Sequence, residues 1–441
     1  MEDDLRSQLL GSIEAGRLVV LCGAGLSMAP PSELPSALKL ANACYDKYVL
    51  AADPQCDHRF RDDLEALAEH FVSLGTLETI FITTFVPWDS FARPSNPGHA
   101  ALADLLLCHA INAALSTNYD ILIERQAMDY GADIDCSLDG DEANSFSKRH
   151  SPLLKFHGCS RREKKKTIWA KSQLDDPVIK ERIRKTEIWM ASNLREKDLL
   201  IVGFWSDWSY LNEIIDNALQ NVSPATITVV DLSETSQLEG KAPHLWKLSH
   251  TSGVAFRHVK ASGADFLDEL RNAFSQQYLA KILASGKTTF ETRTGIKCNK
   301  TWLNPPALSS DELYTLRRDS EGVPPGMPAK RKTPDDVELL GFFHLLLRKA
   351  GAIQTDYGYV LNDFKIRVIN GAGNLLGTKK KLFCIPPAIN SDVNIVACIG
   401  AQDFPGLPDE IIEKGRPDDF IRPATTVNWV DFNNAIKILK L

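Results

Sequence analysis

Three features that would assign a function class are missing from this 441-residue sequence. None of its nine cysteines stands in the C-x-x-C spacing of a zinc or redox motif. No run approaches the roughly 18 apolar residues of a membrane-spanning helix. The N-terminal stretch MEDDLRSQLLGSIEAGR is acidic with helical spacing, unlike a secretory signal. We therefore expect a cytoplasmic protein whose cysteines are reduced thiols.

An excess of basic charge is also missing, since the formal net charge is −7 at pH 7. This balance excludes a chain-wide nucleic-acid-binding surface, so any site for a polyanion must be local. Basic residues are concentrated in two short runs, at residues 161–166 and 330–332. Such runs are typical of solvated loops, and they can alternatively contact nucleic acid or an acidic partner.

Apolar runs alternate with amphipathic ones over the first two thirds of the chain. The patterns predict short buried strands at residues 18–22, 114–117, 153–156, 198–202 and 225–230, and helices at 3–16, 62–73, 98–114 and 266–282. This alternation predicts a Rossmann-like, doubly wound parallel sheet. We place this domain at residues 1–284.

The rest of the chain predicts a connecting segment, residues 285–334, and a second domain, residues 335–441. Four prolines, two glycines and five basic residues at 317–334 favour a linker or exposed loop over core. An amphipathic helix at 335–350 and strand-like runs at 359–369, 380–387 and 393–401 predict a small α+β or mostly β fold.

The first predicted strand ends on an unusual group of small residues: Gly23, Ala24, Gly25 and, after a leucine, Ser27. A glycine pair after the first strand of a parallel sheet lets the backbone turn tightly and approach a diphosphate, and Ser27 can add a hydroxyl. The dinucleotide fingerprint G-x-G-x-x-G is incomplete, because Met28 stands at its third position. A plain turn is the alternative.

Polar side chains follow two more of the predicted strands. Asn118 and Asp120 come after the second strand, where side chains reach the crevice at the carboxyl edge of an open α/β sheet. Either can instead cap the following helix. His157 follows a buried run in LLKFHGC. It can transfer a proton near neutrality, although a lone histidine can also be structural.

Small or polar residues also follow the last two predicted strands of this sheet. Gly203, Ser206 and Asp207 follow the strand at 198–202. The glycine leaves room for a ligand, whereas the serine and the aspartate can cap a helix or meet a ribose or phosphate. Asp231, after the strand at 225–230, can accept hydrogen bonds from ribose hydroxyls. Small or polar residues at the ends of several neighbouring strands predict a nucleotide site.

The order GAGLS, TNYD, KFHG and GFWSD resembles the NAD-binding fold of sirtuins over roughly residues 1–284. It is most similar to the sirtuin-like NAD hydrolases of bacterial anti-phage systems, whose asparagine motif is followed by a glutamate, as Glu124 follows here. The resemblance implies that NAD is the substrate and that nicotinamide and ADP-ribose are the products. Depletion of NAD in anti-phage defence is the role that it implies.

The resemblance also implies roles for the residues at the strand ends. It places the NAD phosphates and ribose against Gly23, Ala24, Gly25 and Ser27, the adenosine half against Gly203, Ser206 and Asp207, and the adenine ribose near Asp231. Asn118 would hold the nicotinamide ribose and a water molecule, Asp120 would contact the nicotinamide amide, and His157 would accept a proton at the ribose hydroxyls.

Two departures from the sirtuin deacylases bear on the reaction. The segment MAPPSELPSALKLA replaces their G-I-P-D-F-R type segment, and no cysteine lies between Cys159 and Cys298, where the deacylases carry a four-cysteine zinc module. We therefore expect no zinc and favour NAD cleavage. The alternatives are an NAD-dependent protein deacylase, an ADP-ribosyltransferase and a non-catalytic nucleotide-sensing subunit.

The resemblance finally implies control by assembly. Relatives in defence systems work as oligomers or with a partner, and we favour a homo-oligomer or a HerA-type ATPase over a short Argonaute with nucleic acid. The region after residue 285 would dock the partner. A second G-A-G, in INGAGNLLG at residues 369–377, lies between strand-like runs and is predicted to be a hairpin turn without a ligand.

Overall fold

The computed structural model describes residues 1–205, 209–219, 223–383, 393–403 and 427–441. The chain divides into two compact units, Met1–Leu270 and Arg271–Leu441. The division falls within one long helix, Gly263–Ser285, whose last residue adjoins the boundary predicted at residue 284.

The first unit is built on a seven-stranded sheet. Its strands are β1 (Leu18–Cys22), β2 (Ala113–Ser116), β3 (Cys136–Ser137), β4 (Leu153–Leu154), β5 (Asp198–Val202), β6 (Thr226–Asp231) and β7 (Ala255–Lys260). They are ordered β3-β4-β2-β1-β5-β6-β7, and all neighbouring strands run parallel. The doubly wound parallel sheet predicted from the sequence is confirmed.

Helices flank this sheet. They are α1 (Asp3–Glu14), α2 (Ala24–Ser27), α3 (Ala37–Ala51), α4 (Leu64–Ser73), α5 (Pro97–Leu107), α6 (Leu122–Asp129), α7 (Gly140–Phe146), α8 (Pro177–Leu194), α9 (Ser209–Leu219), α10 (Thr235–Lys241), α11 (Pro243–Ser249) and α12 (Gly263–Ser285). The helix predicted at 98–114 is too long. It ends at Leu107, His109 takes a left-handed φ of 54°, and the chain then enters β2.

The central strand β1 is buried along its whole length, as expected for a parallel strand covered by helices on both faces. From β1 the chain proceeds towards β2 on one side, and from β5 it proceeds to β6 on the other. The strand order therefore reverses between β1 and β5. In open α/β sheets the ligand crevice lies at this reversal, outside the carboxyl ends of the strands.

The second unit has its own five-stranded sheet. It contains α13 (Lys287–Thr294), α14 (Ser310–Ser320), α15 (Glu338–Lys349), β8 (Ile353–Thr355), β9 (Gly358–Leu361), β10 (Phe364–Asn374), α16 (Leu375–Phe383), β11 (Ile395–Gln402), β12 (Asn428–Asp431) and α17 (Phe432–Leu439). The order is β12-β11-β10-β9-β8. Strands β8, β9 and β10 pair antiparallel, and β10, β11 and β12 pair parallel. This smaller sheet with helices confirms the α+β alternative.

The expectation that residues 317–334 form an exposed linker is wrong for the first residues of this stretch. Arg317 lies in α14 and is fully buried, with its guanidinium carbon 4.9 Å from the ring centre of Phe274 and 5.3 Å from that of Tyr314. The neighbouring Asp319 accepts two hydrogen bonds, at 2.7 and 2.8 Å, from Arg367. Aromatic faces and charge pairing offset the cost of burying these charges.

Two further predictions for the second unit are wrong. Residues 380–383 end helix α16 instead of starting a strand, and the rest of that predicted strand, 384–387, lies outside the described residues. The G-A-G at 371–373 belongs to β10, which pairs parallel with β11 through the α16 crossover. A hairpin turn is therefore excluded, because a tight turn joins only antiparallel strands.

None of the helices in the described ranges is both long and apolar enough to cross a membrane. The eight cysteines within those ranges are free thiols, and six of them are buried. Cys384 lies outside the described residues.

Candidate functional site

The turn after β1 packs backbone to backbone against the end of β5. The Gly23 amide donates to the Val202 carbonyl at 3.1 Å, and the Gly25 amide donates to the Gly203 carbonyl at 2.9 Å. Gly203 has a left-handed φ of 60°, and a Cβ there would lie 2.5 Å from the backbone nitrogen of Leu26. Glycine at these positions therefore serves the contact between the two strand ends.

This contact changes the interpretation of the glycine motif. The amides of Gly23 and Gly25 are used within the protein, whereas Ala24, between them, is exposed. The ends of β1 and β5 are thus hydrogen-bonded to each other at the point where the strand order reverses. Binding of the NAD phosphates by Gly23, Ala24 and Gly25 stays a prediction.

Ser27 is the centre of a buried hydrogen-bond network. Its hydroxyl donates to Oδ2 of Asp120 at 2.8 Å and accepts from Nδ2 of Asn118 at 3.1 Å. His99 Nε2 lies 3.1 Å from the same oxygen. Because His99 Nδ1 accepts from the Asn96 amide at 3.1 Å, its Nε2 carries the proton and donates to Ser27. All hydrogen-bonding positions of the Ser27 hydroxyl are thus filled from within the protein.

Asp120 is likewise held inside the protein. Its second oxygen, Oδ1, accepts the Leu122 amide at 3.1 Å, and the residue is buried. Leu122 is the first residue of α6. By accepting its amide, Asp120 takes the helix-capping role that the sequence offered as an alternative. Both carboxylate oxygens have protein partners, so Asp120 supports Ser27 in this structure, and its contact with nicotinamide stays a prediction.

Sequence reasoning missed His99, which supports Ser27 from the first turn of α5. The signal was present in the stretch SNPGH, because Asn96 and His99 form a capping box around Pro97. Burial lowers the pKa of His99 to about 4. The imidazole is therefore neutral at pH 7, as its roles of donor at one nitrogen and acceptor at the other require.

Asn118 has a fixed side chain with one polar atom that makes no hydrogen bond to the described residues. Its amide nitrogen Nδ2 donates both hydrogens inward, to the Gly23 carbonyl at 3.0 Å and to Ser27 Oγ. Its backbone amide donates to Ser116 Oγ at 3.1 Å. The side chain is half-buried. The carbonyl oxygen Oδ1 is therefore the atom left to orient a water molecule or a ribose hydroxyl.

His157 is anchored through both ring nitrogens. Nδ1 lies 3.0 Å from the Thr117 carbonyl and donates to it. Nε2 lies 2.6 Å from the Tyr210 hydroxyl and 3.1 Å from that of Tyr119. Tyr119 donates its proton to the Ile168 carbonyl, so Tyr210 is the donor to Nε2. Burial lowers the pKa of His157 to about 4, which keeps the ring neutral.

Stacked aromatic rings support His157. The Tyr119 ring lies between those of His157 and Trp169, with centroid distances of 4.7 and 4.4 Å. Burial raises the pKa values of Tyr119 and Tyr210 well above 10, so both phenols stay protonated. Sequence reasoning missed Tyr210, whose only signal is its place on the buried face of the helix after GFWSD.

The two residues predicted to carry the chemistry are joined through one peptide unit. His157 holds the carbonyl of Thr117, and the next residue is Asn118. The structure therefore brings Asn118, Ser27 and Asp120 into one network and fixes His157 beside it, all at the carboxyl edge of the sheet.

The predicted adenosine end is described only in part. Gly203 forms the contact with Gly25, whereas Ser206 and Asp207 lie outside the described residues. Asp231 ends β6 and accepts the Ser233 amide at 2.7 Å. Lys241 Nζ lies 3.5 Å from its other oxygen. Partial burial raises the pKa of Asp231, but the Ser233 and Lys241 interactions lower it more, so that it lies below its usual value.

An ion pair is buried beneath the Asn118 segment. Lys155 Nζ lies 2.6 Å from Oε1 of Glu124 and also donates to the Asp120 carbonyl. Burial opposes the charge of Lys155, but Glu124 and the Cys159 sulfur raise its pKa. Burial raises the pKa of Glu124 more than Lys155 lowers it. At 2.6 Å the proton is better held by the amine, so the pair is ionised.

Much of the first basic run is engaged within the unit. Arg162 forms a bidentate ion pair with Glu142, with hydrogen bonds of 2.8 and 2.9 Å. Lys166 Nζ lies 2.6 Å from Glu78, and Lys164 Nζ lies 4.5 Å from the centre of a Trp88 ring. These pairs favour the solvated-loop alternative, and a nucleic-acid contact stays a prediction.

Comparison with known proteins gives one family match. Residues 112–254 match the model of a SIR2-like domain, a range that contains Asn118, Asp120 and His157 but not the turn after β1. No curated protein matches the chain.

Solved structures of sirtuins and Sir2 homologues are similar to 60–62% of this chain. One, described as showing the mechanism and regulation of Sir2 enzymes, has 15% identity and a TM-score of 0.33 over 62% of this chain and 97% of its own. Another, on sirtuin substrate affinity, has 18% identity and a TM-score of 0.33, over 61% and 98%. A complex of a Sir2 homologue with NAD has 13% identity and a TM-score of 0.30, over 60% and 93%. By the family match, the chain is similar to a SIR2-like domain over residues 112–254, which include Asn118 and His157.

Proposed function

We propose that the first unit binds NAD at the carboxyl edge of its sheet and hydrolyses the nicotinamide N-glycosidic bond, giving nicotinamide, ADP-ribose and a proton. The observation that carries this proposal is the fixed orientation of Asn118. Both hydrogens of its amide are used inward, which leaves Oδ1 at the sheet reversal beside a neutral histidine. The match to a SIR2-like domain over the same residues supports it.

The chemistry requires an oriented water molecule and stabilisation of a cationic ribose. Departure of nicotinamide leaves positive charge at the ribose carbon, and a carbonyl dipole fixed in advance stabilises it without reorganisation. Asn118 Oδ1 is such a dipole and can accept a hydrogen bond from the attacking water. The water oxygen bonds to the ribose carbon, and one water proton is released to solvent.

His157 has the second role in the proposal. A neutral imidazole can accept a hydrogen bond from a ribose hydroxyl, which makes that oxygen a better neighbour for the cationic carbon. In this structure the acceptor atom Nε2 is occupied by the Tyr210 hydroxyl. The ribose hydroxyl therefore has to take the place of the Tyr210 hydroxyl during turnover.

The proposal includes control of the enzyme. An unrestrained NAD hydrolase would deplete the NAD of its own cell, and a capped His157 is consistent with a resting state. We place the protein in the cytoplasm, acting by NAD depletion in anti-phage defence. Release would come from self-assembly or a partner, with a HerA-type ATPase favoured over a short Argonaute with nucleic acid.

The test is NAD turnover by the purified full chain, alone and with the product of the neighbouring gene. We expect release of nicotinamide and ADP-ribose by the wild type. We expect none from Asn118→Ala or His157→Ala. His244→Ala, which changes an exposed histidine of the same unit, is the matched control and should act as the wild type does.

Three outcomes would contradict the proposal. Full nicotinamide release by folded Asn118→Ala and His157→Ala variants would remove both residues from the reaction. NAD consumption only in proportion to an added acylated peptide would indicate a deacylase. Binding of NAD without turnover under every condition would favour the nucleotide-sensing alternative.

A further inference from the structure

Three side chains with metal-binding atoms meet behind the Asn118 segment. Glu124 lies on α6, Cys136 on β3, and Cys159 two residues after His157. Their carboxylate and sulfur atoms all lie within 4.8 Å of one another. All three residues are buried. The spacing suits a tetrahedral ion, whose sulfur and oxygen ligands stand at about 2.3 and about 2.0 Å from the metal.

One of the two carboxylate oxygens of Glu124 is available to bind a ligand in this cluster. Its Oε1 is paired with Lys155. Its Oε2 is buried and, within the described part of the chain, receives no hydrogen bond. A buried carboxylate oxygen without a partner is costly. It therefore indicates a missing ligand, and the two sulfur atoms beside it identify the kind of ligand.

The backbone holds the two cysteines in place before any ion binds. Arg162, paired with Glu142, donates to the Cys136 carbonyl. The Ser160 amide, next to Cys159, donates to the Tyr119 carbonyl at 2.7 Å. The donors come from three separate elements that the fold fixes, so three of the four positions of a tetrahedral ion are in place before it binds.

We infer that Glu124, Cys136 and Cys159 bind one divalent metal ion of the zinc class. Two thiolates and a carboxylate are donors that zinc accepts, whereas magnesium and calcium prefer oxygen alone. Lys155 stays on Oε1, because ligating carboxylates are commonly held by an outer hydrogen bond. The charges of two thiolates and one carboxylate then balance those of the ion and Lys155.

The burial of the cluster is compatible with this site. A structural ion binds as the chain folds, and the two thiols release their protons to solvent at that stage. The expectation of no zinc rested on the spacing of cysteines along the chain. That spacing shows only sites built within one local segment. The inference does not depend on NAD hydrolysis.

The first experiment measures metal in the full chain, purified without chelator from cells grown with added zinc. We expect one zinc ion per chain by mass spectrometry of the elements. Cys136→Ala, Cys159→Ala and Glu124→Gln should each lose it. Cys44→Ala is the matched control, because Cys44 is a buried free thiol of the same unit outside the cluster, and it should retain the zinc.

A second readout identifies the donors. Protein produced with cobalt in place of zinc should show thiolate-to-cobalt charge-transfer absorption, which Cys136→Ala reduces and Cys44→Ala does not. If Cys159→Ala fails to fold, Cys136→Ala and Glu124→Gln carry the comparison.

Three results would overturn the inference. The wild type would contain no more zinc than the cysteine variants, or Cys44→Ala would lose as much as Cys136→Ala. A disulfide between Cys136 and Cys159 in the wild type as isolated under reducing conditions, identified by peptide mass spectrometry, would show that the sulfur pair serves another purpose. Each result stands whether or not the protein hydrolyses NAD.

Discussion

Tyr210 holds its hydroxyl oxygen 2.6 Å from Nε2 of His157, and both side chains are buried. The bond satisfies the one acceptor atom of the neutral imidazole. The proposed hydrolysis needs that same atom for a ribose hydroxyl. Tyr210 therefore competes with the substrate for His157.

We expect Tyr210→Phe to raise the basal rate of NAD hydrolysis. A hydrogen bond of about 1 kcal/mol no longer competes for Nε2, which corresponds to about a fivefold increase. Nicotinamide release by the full chain without a partner measures the effect. Tyr45→Phe removes the hydroxyl of another buried tyrosine, bonded to the Cys56 carbonyl, and should leave the rate unchanged. A rate as low as that of His157→Ala would mean that the Tyr210 hydroxyl is required for turnover.

Gly203→Ala is expected to separate the two strand ends. The new Cβ would meet the Leu26 nitrogen at 2.5 Å at a left-handed φ. Strain of this kind costs on the order of 1 to 3 kcal/mol. We expect a loss of that size in the free energy of unfolding and weaker NAD binding, measured by denaturant titration and calorimetry.

Gly240→Ala is the matched control for this substitution. Gly240 lies in helix α10, and a Cβ there would meet nothing within 4 Å. Alanine should leave the stability unchanged or raise it by up to about 1 kcal/mol. Equal losses in the free energy of unfolding for the two variants would mean that the close contact between the ends of β1 and β5 does not require glycine at position 203.

The centre of the sheet could be predicted because strands β1 and β5 are buried at every residue, whereas β7 contains Arg257, His258 and Lys260 and was not predicted. The predicted strand at 198–202 coincides with β5, which is buried at every residue. The convergence of Asn118 and Ser27 could also be predicted, since parallel strands end at the same edge of the sheet. Their partners could not be predicted as partners. The stretch SNPGH marks the start of α5, but neither it nor any other local pattern specifies the packing that brings His99 to Ser27 and Tyr210 to His157.

The two main errors have different physical origins. Arg317 is charged and lies near prolines, so composition favours an exposed linker. One ring that accepts its guanidinium, Tyr314, lies one turn earlier on α14, and another, Phe274, comes from helix α12. The end of helix α16 was mistaken for a strand because a short apolar run does not distinguish the two periods. Tertiary contacts thus overrode the local pattern at Arg317, whereas at α16 the local pattern was itself ambiguous.

The buried histidines predict how stability depends on pH. Burial lowers the pKa values of His99 and His157 to about 4, from about 6.5 in the unfolded chain. The unfolded state therefore binds protons that the folded state does not. Their contribution is fully present above about pH 6.5 and is lost as the pH falls towards about 4, by at most about 3 kcal/mol for each histidine.

We expect His99→Gln to reduce this pH dependence. Urea unfolding between about pH 7 and about pH 4 should give a smaller fall in the free energy of unfolding than the wild type shows. His244→Gln, at an exposed position, should follow the wild type. Parallel curves for His99→Gln and wild type would contradict the assignment of a buried neutral His99.

The buried pair of Lys155 and Glu124 predicts the largest loss of stability. In the metal-free protein, Lys155→Met leaves the Glu124 carboxylate buried without a counter-charge, which costs about 3 to 5 kcal/mol in the free energy of unfolding. Lys171→Met is the matched control, because its pair with Glu213 is exposed and such pairs contribute at most about 1 kcal/mol. Denaturant titration of both variants measures the difference. A loss for Lys155→Met no larger than that for Lys171→Met would mean that Glu124 takes up a proton instead of remaining charged.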